Sequence, residues 1–169
     1  MSFGTGVGHG LRLFAVFALV LVVAACAQNR SDEDMAAAAG ARGSATPGTA
    51  QDFVVNVGDR IFFQTDSTQL TAQARETLNR QAQWLQQYAN HPVTIEGHAD
   101  ERGTREYNLG LSARRANVVR DYLASQGVNS SRLRTVSYGK ERPVATCNDE
   151  SCWSQNRRAV TTVGSGASS

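Results

Sequence analysis

Between residues 27 and 51 the only large apolar side chain is Met35. A segment of that kind cannot bury enough surface to offset the entropy lost on ordering it. It holds Arg30-Ser-Asp-Glu-Asp34, then Ala36 to Ala39, then a Gly/Ser/Thr-rich stretch closed by Pro47-Gly48-Thr49. The reading is a flexible linker over 26–51, spanning about 27 Å root-mean-square as a coil and about 80 Å fully extended. The tail 164–169, Gly-Ser-Gly-Ala-Ser-Ser, is equally poor in core-forming side chains and is expected to be disordered. Any folded body must therefore come from residues 52–163, one domain's worth of the 169-residue chain.

Upstream of the linker, residues 13–25 are uncharged and apolar, with Arg12 just before them. Such a run falls short of the ~20 residues that span a bilayer, so it reads as a secretory signal rather than a transmembrane helix. It ends Val23-Ala24-Ala25-Cys26, which resembles a bacterial lipobox. On that reading residues 1–25 are removed, and Cys26 is acylated to become the mature N-terminus. Two or three acyl chains anchor stably, at ~0.8 kcal/mol per buried CH₂. Ala27, in place of an aspartate beside the cysteine, implies sorting to the outer membrane with the domain facing the periplasm.

Charge and composition narrow the function. Seventeen basic residues against 15 acidic ones leave a formal net charge of +2, with the arginines dispersed, so a nucleic-acid partner is not expected. There are only three histidines, and His9 falls in the removed segment, which argues against a multi-histidine metal enzyme. Gly-x-Ser-x-Gly and His-Glu-x-x-His motifs are both missing. Cys147 and Cys152 lie close together in a loop, and in an oxidising compartment a small disulfide is the leading reading, contributing ~2 kcal/mol at most. Zinc would need two further ligands at suitable spacing, and reduced thiols are the other alternative.

Within 52–163 the hydrophobic period changes several times. Residues 52–57 and 61–63 read as short strands. From Thr71, a plausible N-cap, Ala74, Leu78, Ala82, Leu85 and Ala89 form one helical stripe, and Pro92 stops it. Val93-Thr-Ile-Glu-Gly97 alternates as a strand. After the polar loop 98–103, Thr104 caps a second helix to Gln126, burying Leu111, Val118, Val119, Tyr122 and Leu123, with Gly127 as the left-handed terminator. Strands follow at 134–138 and 158–163. The order β-α-β-α-β-β predicts an α+β sandwich with two main helices on one face of a small mixed sheet.

The chemistry concentrates between residues 97 and 115. Asp100 follows a strand in a glycine-flanked loop, while Asn108 and Arg115, seven apart, share a face of the next helix. If that face returns to the loop, a carboxylate, an amide and a guanidinium converge on one small cleft. Arg115 could hold a carboxylate bidentately and Asp100 could accept from an ammonium, which suits a zwitterionic amino-acid head. Backbone amides of the loop and helix N-terminus would add anion donors. The competing readings are a structural Asp–Arg pair on a solvated face, and an enzyme using His98 and Asp100 as a metal or acid–base pair, such as a cell-wall hydrolase.

Gly97-His-Ala-Asp-Glu-Arg-Gly-Thr104, Tyr107-Asn108 and Leu111-Ser-Ala-Arg-Arg-Ala-Asn117 closely resemble the signature of OmpA-like peptidoglycan-binding domains. Thr135-Val-Ser-Tyr-Gly-Lys-Glu-Arg-Pro143 and Asn156-Arg-Arg-Ala-Val160 extend the resemblance over roughly residues 60–163. It implies the OmpA-like fold and a non-catalytic domain, without cofactor or metal, that binds diaminopimelate of the peptidoglycan stem. By that resemblance Asp100 and Arg115 hold the free amino-acid end and Asn108 supports them. Phe63 leads a loop whose Asp66 faces the ligand, and Arg157 makes a second carboxylate contact. Gln64 departs from the pattern, since many relatives have Asp there; changed local hydrogen bonding is expected without loss of binding. The lipoprotein members imply further partners, TolB and the other Tol proteins, and a role in envelope integrity and cell division.

Overall fold

The computed structural model describes residues 45–165. The signal segment, Cys26 and the linker as far as residue 44 lie outside the described residues, as do 166–169.

The first element is helical where a strand was expected. Helix α1 (Ala50–Asp52) runs on as a π-helical turn, Phe53–Val57, and ends at Gly58 with φ 93°. The β-branched and aromatic run Phe53-Val-Val-Asn-Val57 favours extended backbone, but Asp52 overrides it. Its carboxylate accepts from Gly48 N (2.9 Å), Asn56 Nδ2 (2.8 Å) and Trp84 Nε1 (2.8 Å). Thr49 caps the helix by accepting from Asp52 N, and Phe53 is buried edge-on to the Trp84 ring at 5.0 Å. His91 Nε2 lies 3.0 Å from the Gly48 carbonyl oxygen. Residues 48–51, read from sequence as the end of the linker, are thus bonded into the body.

Strand β1 (Arg60–Phe62) is followed by α2 (Ala72–Gln87), β2 (Val93–Gly97) and α3 (Arg105–Ser125). Then come β3 (Leu133–Ser137), a short α4 (Glu150–Asn156) and β4 (Arg158–Val163). Thr71 and Thr104 are the N-caps of α2 and α3, accepting from Ala74 N at 3.1 Å and Tyr107 N at 3.2 Å. Gly127 takes φ 95° after α3, as its position demands. Of the α2 stripe, Ala74, Leu78, Ala82 and Leu85 are buried, whereas Ala89 falls beyond the helix end and is exposed. Helix α4 lies inside what reads as a loop. Asp149 starts it by capping Ser151 N at 2.8 Å, with Glu150 in the first turn.

The sheet order is β1-β4-β2-β3, with β4 antiparallel to both neighbours and β2 parallel to β3. Both long helices pack on the face carrying Val93, Ile95 and Gly97. Gln81 of α2 accepts from Thr161 of β4, the register partner of Ile95, and the Ser112 carbonyl of α3 sits against Gly97. Leu78, Leu85, Ile95 and Leu123 are fully enclosed there, each contributing about 1.5–3 kcal/mol of burial. The pairing senses make β1, β2 and β3 point the same way. Their carboxyl ends, the amino end of β4 and the start of α3 therefore meet at one end of the domain.

Candidate functional site

Three segments leave that end: the loop after β1 (Phe63 to Ser67), the loop after β2 (His98 to Gly103) and the first turns of α3. Between them is a cleft of about 250 Å³ lined by Thr65, Asp66, Asp100, Arg102, Gly103, Tyr107, Asn108, Leu111 and Arg115. The sequence spacing brings Asp100, Asn108 and Arg115 together as expected, and Asp66 joins them from the first loop.

Arg115 is fully buried and ties the two loops from below. Its Nε donates to the Ser67 carbonyl (3.0 Å), Nη1 to the His98 carbonyl (2.9 Å) and Nη2 to the Gln64 carbonyl (3.1 Å). The guanidinium lies 5.0 Å from the centre of the Phe63 ring. These bonds take one hydrogen from each nitrogen and leave two N–H groups over. Burial pulls its pKa down to about 10, with Asp100 opposing the shift. Among the described residues, no carboxylate forms an ion pair with it. A buried cation held only by carbonyls, at the wall of an open cleft, is a site for an anion. Gln64 contributes its backbone oxygen, so its side-chain identity is immaterial to this contact.

Asp100 is 7% exposed. Arg102 donates to it through Nη2 (2.7 Å to Oδ2), Nε and its backbone N (both 3.2 Å to Oδ1). Arg157 Nη1 adds a contact of 3.3 Å to Oδ2. Burial works to raise the Asp100 pKa, but the bonds from Arg102 and Arg157 outweigh it and hold the carboxyl below its ordinary value. The Arg102 amide, expected as an anion donor, is thus engaged within the loop. Asn108 is buried and supports this loop, donating from Nδ2 to the Arg102 carbonyl at 2.8 Å.

Asp66 takes φ 52°, a left-handed conformation that Asp tolerates better than most residues. It accepts a hydrogen bond from the Tyr107 hydroxyl, which raises the phenol's pKa and closes one side of the cleft. Phe63 is buried outside the cleft lining, with its ring under Arg115 and its carbonyl accepting from Arg157. Arg157 does not line the cleft. It is buried against Asp100, Glu150 and the Phe63 carbonyl (3.1 Å). The His98 ring also stays out: it stacks on Tyr138 at 5.4 Å, and among the described residues neither ring nitrogen has a hydrogen-bond partner. The structure therefore does not present His98 and Asp100 to one cleft. Cys147 and Cys152 are joined in a disulfide, with Cα atoms 5.7 Å apart.

Sequence reasoning missed Arg102 and Tyr107 as cleft residues. Both lie inside the Gly97–Thr104 and Tyr107-Asn108 motifs. Their partners, Trp153 and Asp66, are 51 and 41 positions away in the chain.

The fold and the cleft define an α+β domain with a charged recess at the carboxyl ends of its parallel strands. The OmpA family model matches residues 62–157. The chain is 64% identical over 148 residues to the peptidoglycan-associated lipoprotein of Agrobacterium fabrum, covering 86% of this chain and 84% of that one. The crystal structure of the peptidoglycan-associated lipoprotein from Burkholderia pseudomallei superposes with a TM-score of 0.61 at 40% identity, covering 63% of this chain and 90% of that one. The C-terminal domain of Helicobacter pylori MotB shares the fold at 23% identity, with a TM-score of 0.60 over 64% of this chain and 86% of that one. The chain belongs to the OmpA family, among its peptidoglycan-associated lipoproteins.

Proposed function

We propose that the cleft binds the free, zwitterionic end of diaminopimelate in the peptidoglycan stem, without forming or breaking a covalent bond. The observation that carries this reading is the fully buried Arg115 at the cleft wall, with two N–H groups unused and no ion-paired carboxylate among the described residues. A ligand carboxylate would complete that guanidinium. The neighbouring ammonium would approach Asp100 at Oδ1, where Arg102 holds only 3.2 Å contacts that can be replaced. Asp66 and Tyr107 would close over the ligand from the other loop. Phe63 and Arg157 serve the site by holding Arg115 and Asp100 in place.

In this reading Cys26 carries the lipid that fixes the chain in the outer membrane, and the linker lets the domain reach the wall from the periplasmic side. The protein would thereby tether membrane to wall within the Tol–Pal system, with TolB and the other Tol proteins as partners, supporting envelope integrity and division. The partner part of the proposal rests on family membership alone.

Co-sedimentation with purified diaminopimelate-type sacculi tests the core of it. Wild type should pellet with sacculi and release no soluble muropeptide, and its affinity should fall with salt because both contacts are charged. Asp100→Ala should lose most of the binding while staying folded by circular dichroism. A folded Asp100→Ala protein that pellets like wild type would remove the site, and release of muropeptides would make the protein a hydrolase. Palmitate labelling that persists in Cys26→Ser would remove the anchor.

A further inference from the structure

Behind the binding loop lies α4, and none of its side chains lines the cleft. Two threads nevertheless run from it to Asp100. In the first, Trp153 Nε1 donates to Glu101 Oε1 at 2.6 Å, and the Trp153 ring lies 4.1 Å beneath the Arg102 guanidinium. Arg102 in turn supplies most of the hydrogen bonds to Asp100. In the second, Glu150 accepts from Arg157, whose Nη1 also reaches Asp100. A seven-residue helix has little stability of its own in water. At its carboxyl end it is tied into the sheet, since Arg157 N donates to the Trp153 carbonyl and Phe63 N donates to the Arg157 carbonyl. At its amino end the Cys147–Cys152 disulfide bridges the preceding loop to the first turn of the helix.

We propose that α4 is a disulfide-pinned brace for the binding loop, with Trp153 and Glu150 as positioning residues for Asp100 and Arg102, so that reducing Cys147–Cys152 weakens ligand binding. The proposal rests on the cleft being the wall-binding site. A dithiol such as dithiothreitol would place two electrons and two protons on the S–S bond, leaving two cysteine thiols and the cyclic disulfide of the reductant. Without the bridge, the first turn of α4 would keep no covalent tie to the preceding loop, and the Trp153–Glu101 and Glu150–Arg157 threads would slacken.

The charged groups facing Asp100 are Arg102 from its own loop, Arg157 from the α4–β4 joint, Arg115 from α3, and Glu150 from α4 beyond Arg157. Freeing Arg102 removes the main support of the ionised carboxylate. The midpoint of the Asp100 carboxyl titration, read by carbon NMR, is therefore a second readout that general destabilisation does not move.

The test uses the full chain, oxidised and reduced, against purified sacculi, with Asp100→Ala as the site control. Trp153→Ala should weaken binding about ten-fold, within the range for residues of one bonded network, and its Asp100 midpoint should rise. Trp153→Phe keeps a ring under Arg102 and should recover most of both. Reduced wild type and the Cys147→Ser/Cys152→Ser double variant should weaken together, and dithiothreitol should add nothing to the double variant. Should Trp153→Ala fail to fold, Glu150→Ala decides through the Arg157 thread. Wild-type binding and an unmoved Asp100 midpoint in the α4 variants and the reduced protein, while Asp100→Ala loses binding, would overturn the brace. So would weakened binding with an unmoved midpoint. If oxidised wild type itself ignores sacculi, the wall-binding reading fails, and the titration midpoints alone still decide the brace.

Discussion

Arg157 Nη1 lies 3.3 Å from Asp100 Oδ2 while Arg157 Nε donates to the Phe63 carbonyl, so one buried side chain joins the two loops that flank the cleft. Arg115 does the same from α3, reaching Gln64 and Ser67 on the first loop and His98 on the second. Arg157, expected from sequence to meet the ligand, stands outside the cleft lining and contacts Asp100 from behind. With both loops held by buried arginines, the groups lining the recess are fixed in advance, which would lower the entropic cost of binding at the proposed site.

Arg115 cannot be changed without touching stability. Arg115→Lys keeps a positive charge but cannot reach three carbonyls with a planar fork. Leaving the buried His98 carbonyl unsatisfied costs about 1–3 kcal/mol, and the part-buried Ser67 and Gln64 carbonyls lose their bonds as well. Both Arg115→Lys and Arg115→Ala should therefore lower the urea midpoint by an amount equivalent to about 3 kcal/mol, as well as weakening sacculus binding. An Arg115→Lys protein as stable as wild type would show that the fork does not hold the loops.

The position of the binding loop depends on how closely α3 approaches β2. A Cβ at Gly97 would stand 1.9 Å from the Ser112 carbonyl oxygen, a backbone atom that cannot rotate away. Gly97→Ala should cost about 3 kcal/mol or prevent folding, at the upper end of overpacking penalties. Gly110, on the same helix, meets only the flexible Arg114 Nη1, at 3.4 Å. Gly110→Ala should stabilise by about 0.5–1 kcal/mol through helix propensity. Urea denaturation of the two variants separates crowding from propensity.

That contrast also shows what could be read from sequence. The α2 stripe as far as Leu85, the Thr71 and Thr104 caps, Gly127 and the alternation of β2 are local signals, and each element stands where they place it. Asp100, Asn108 and Arg115 converge because one strand–loop–helix unit carries all three. What local signals could not show is set by distant partners. Asp52 pulls 50–57 into helix because Trp84, 32 residues on, donates to it. Arg102 and Arg157 are placed by Trp153 and Glu150, on a helix short enough to be mistaken for loop. Asp149-Glu150, a capping residue followed by an acid, was the available sign of that helix.

Acid should act on the domain through Asp100. Its folded pKa is depressed, so its contribution to stability is fully present above the unfolded value of about 3.9 and is lost as pH falls through the folded value. Asp100→Asn lacks that contribution at every pH. The urea midpoints of wild type and Asp100→Asn should differ at neutral pH and converge in strong acid. A gap that persists unchanged to the lowest pH would mean the carboxylate charge is not what Arg102 and Arg157 hold.

His98 responds in a different window. Its ring is buried without a hydrogen-bond partner, and burial, reinforced by Arg158 and Arg142, lowers its pKa to about 4. The unfolded chain takes up the proton first, near pH 6.5. Stability from this source should therefore fall as pH drops from about 6.5 to about 4, and level off below that. His98→Phe keeps the ring against Tyr138 and removes the titration. It should be nearly as stable as wild type at pH 7, because among the described residues the ring nitrogens make no hydrogen bond and Nε2 meets Glu96 only at 3.7 Å, and more stable at pH 5. Equal loss of stability in both proteins between pH 7 and pH 5 would place the acid sensitivity elsewhere.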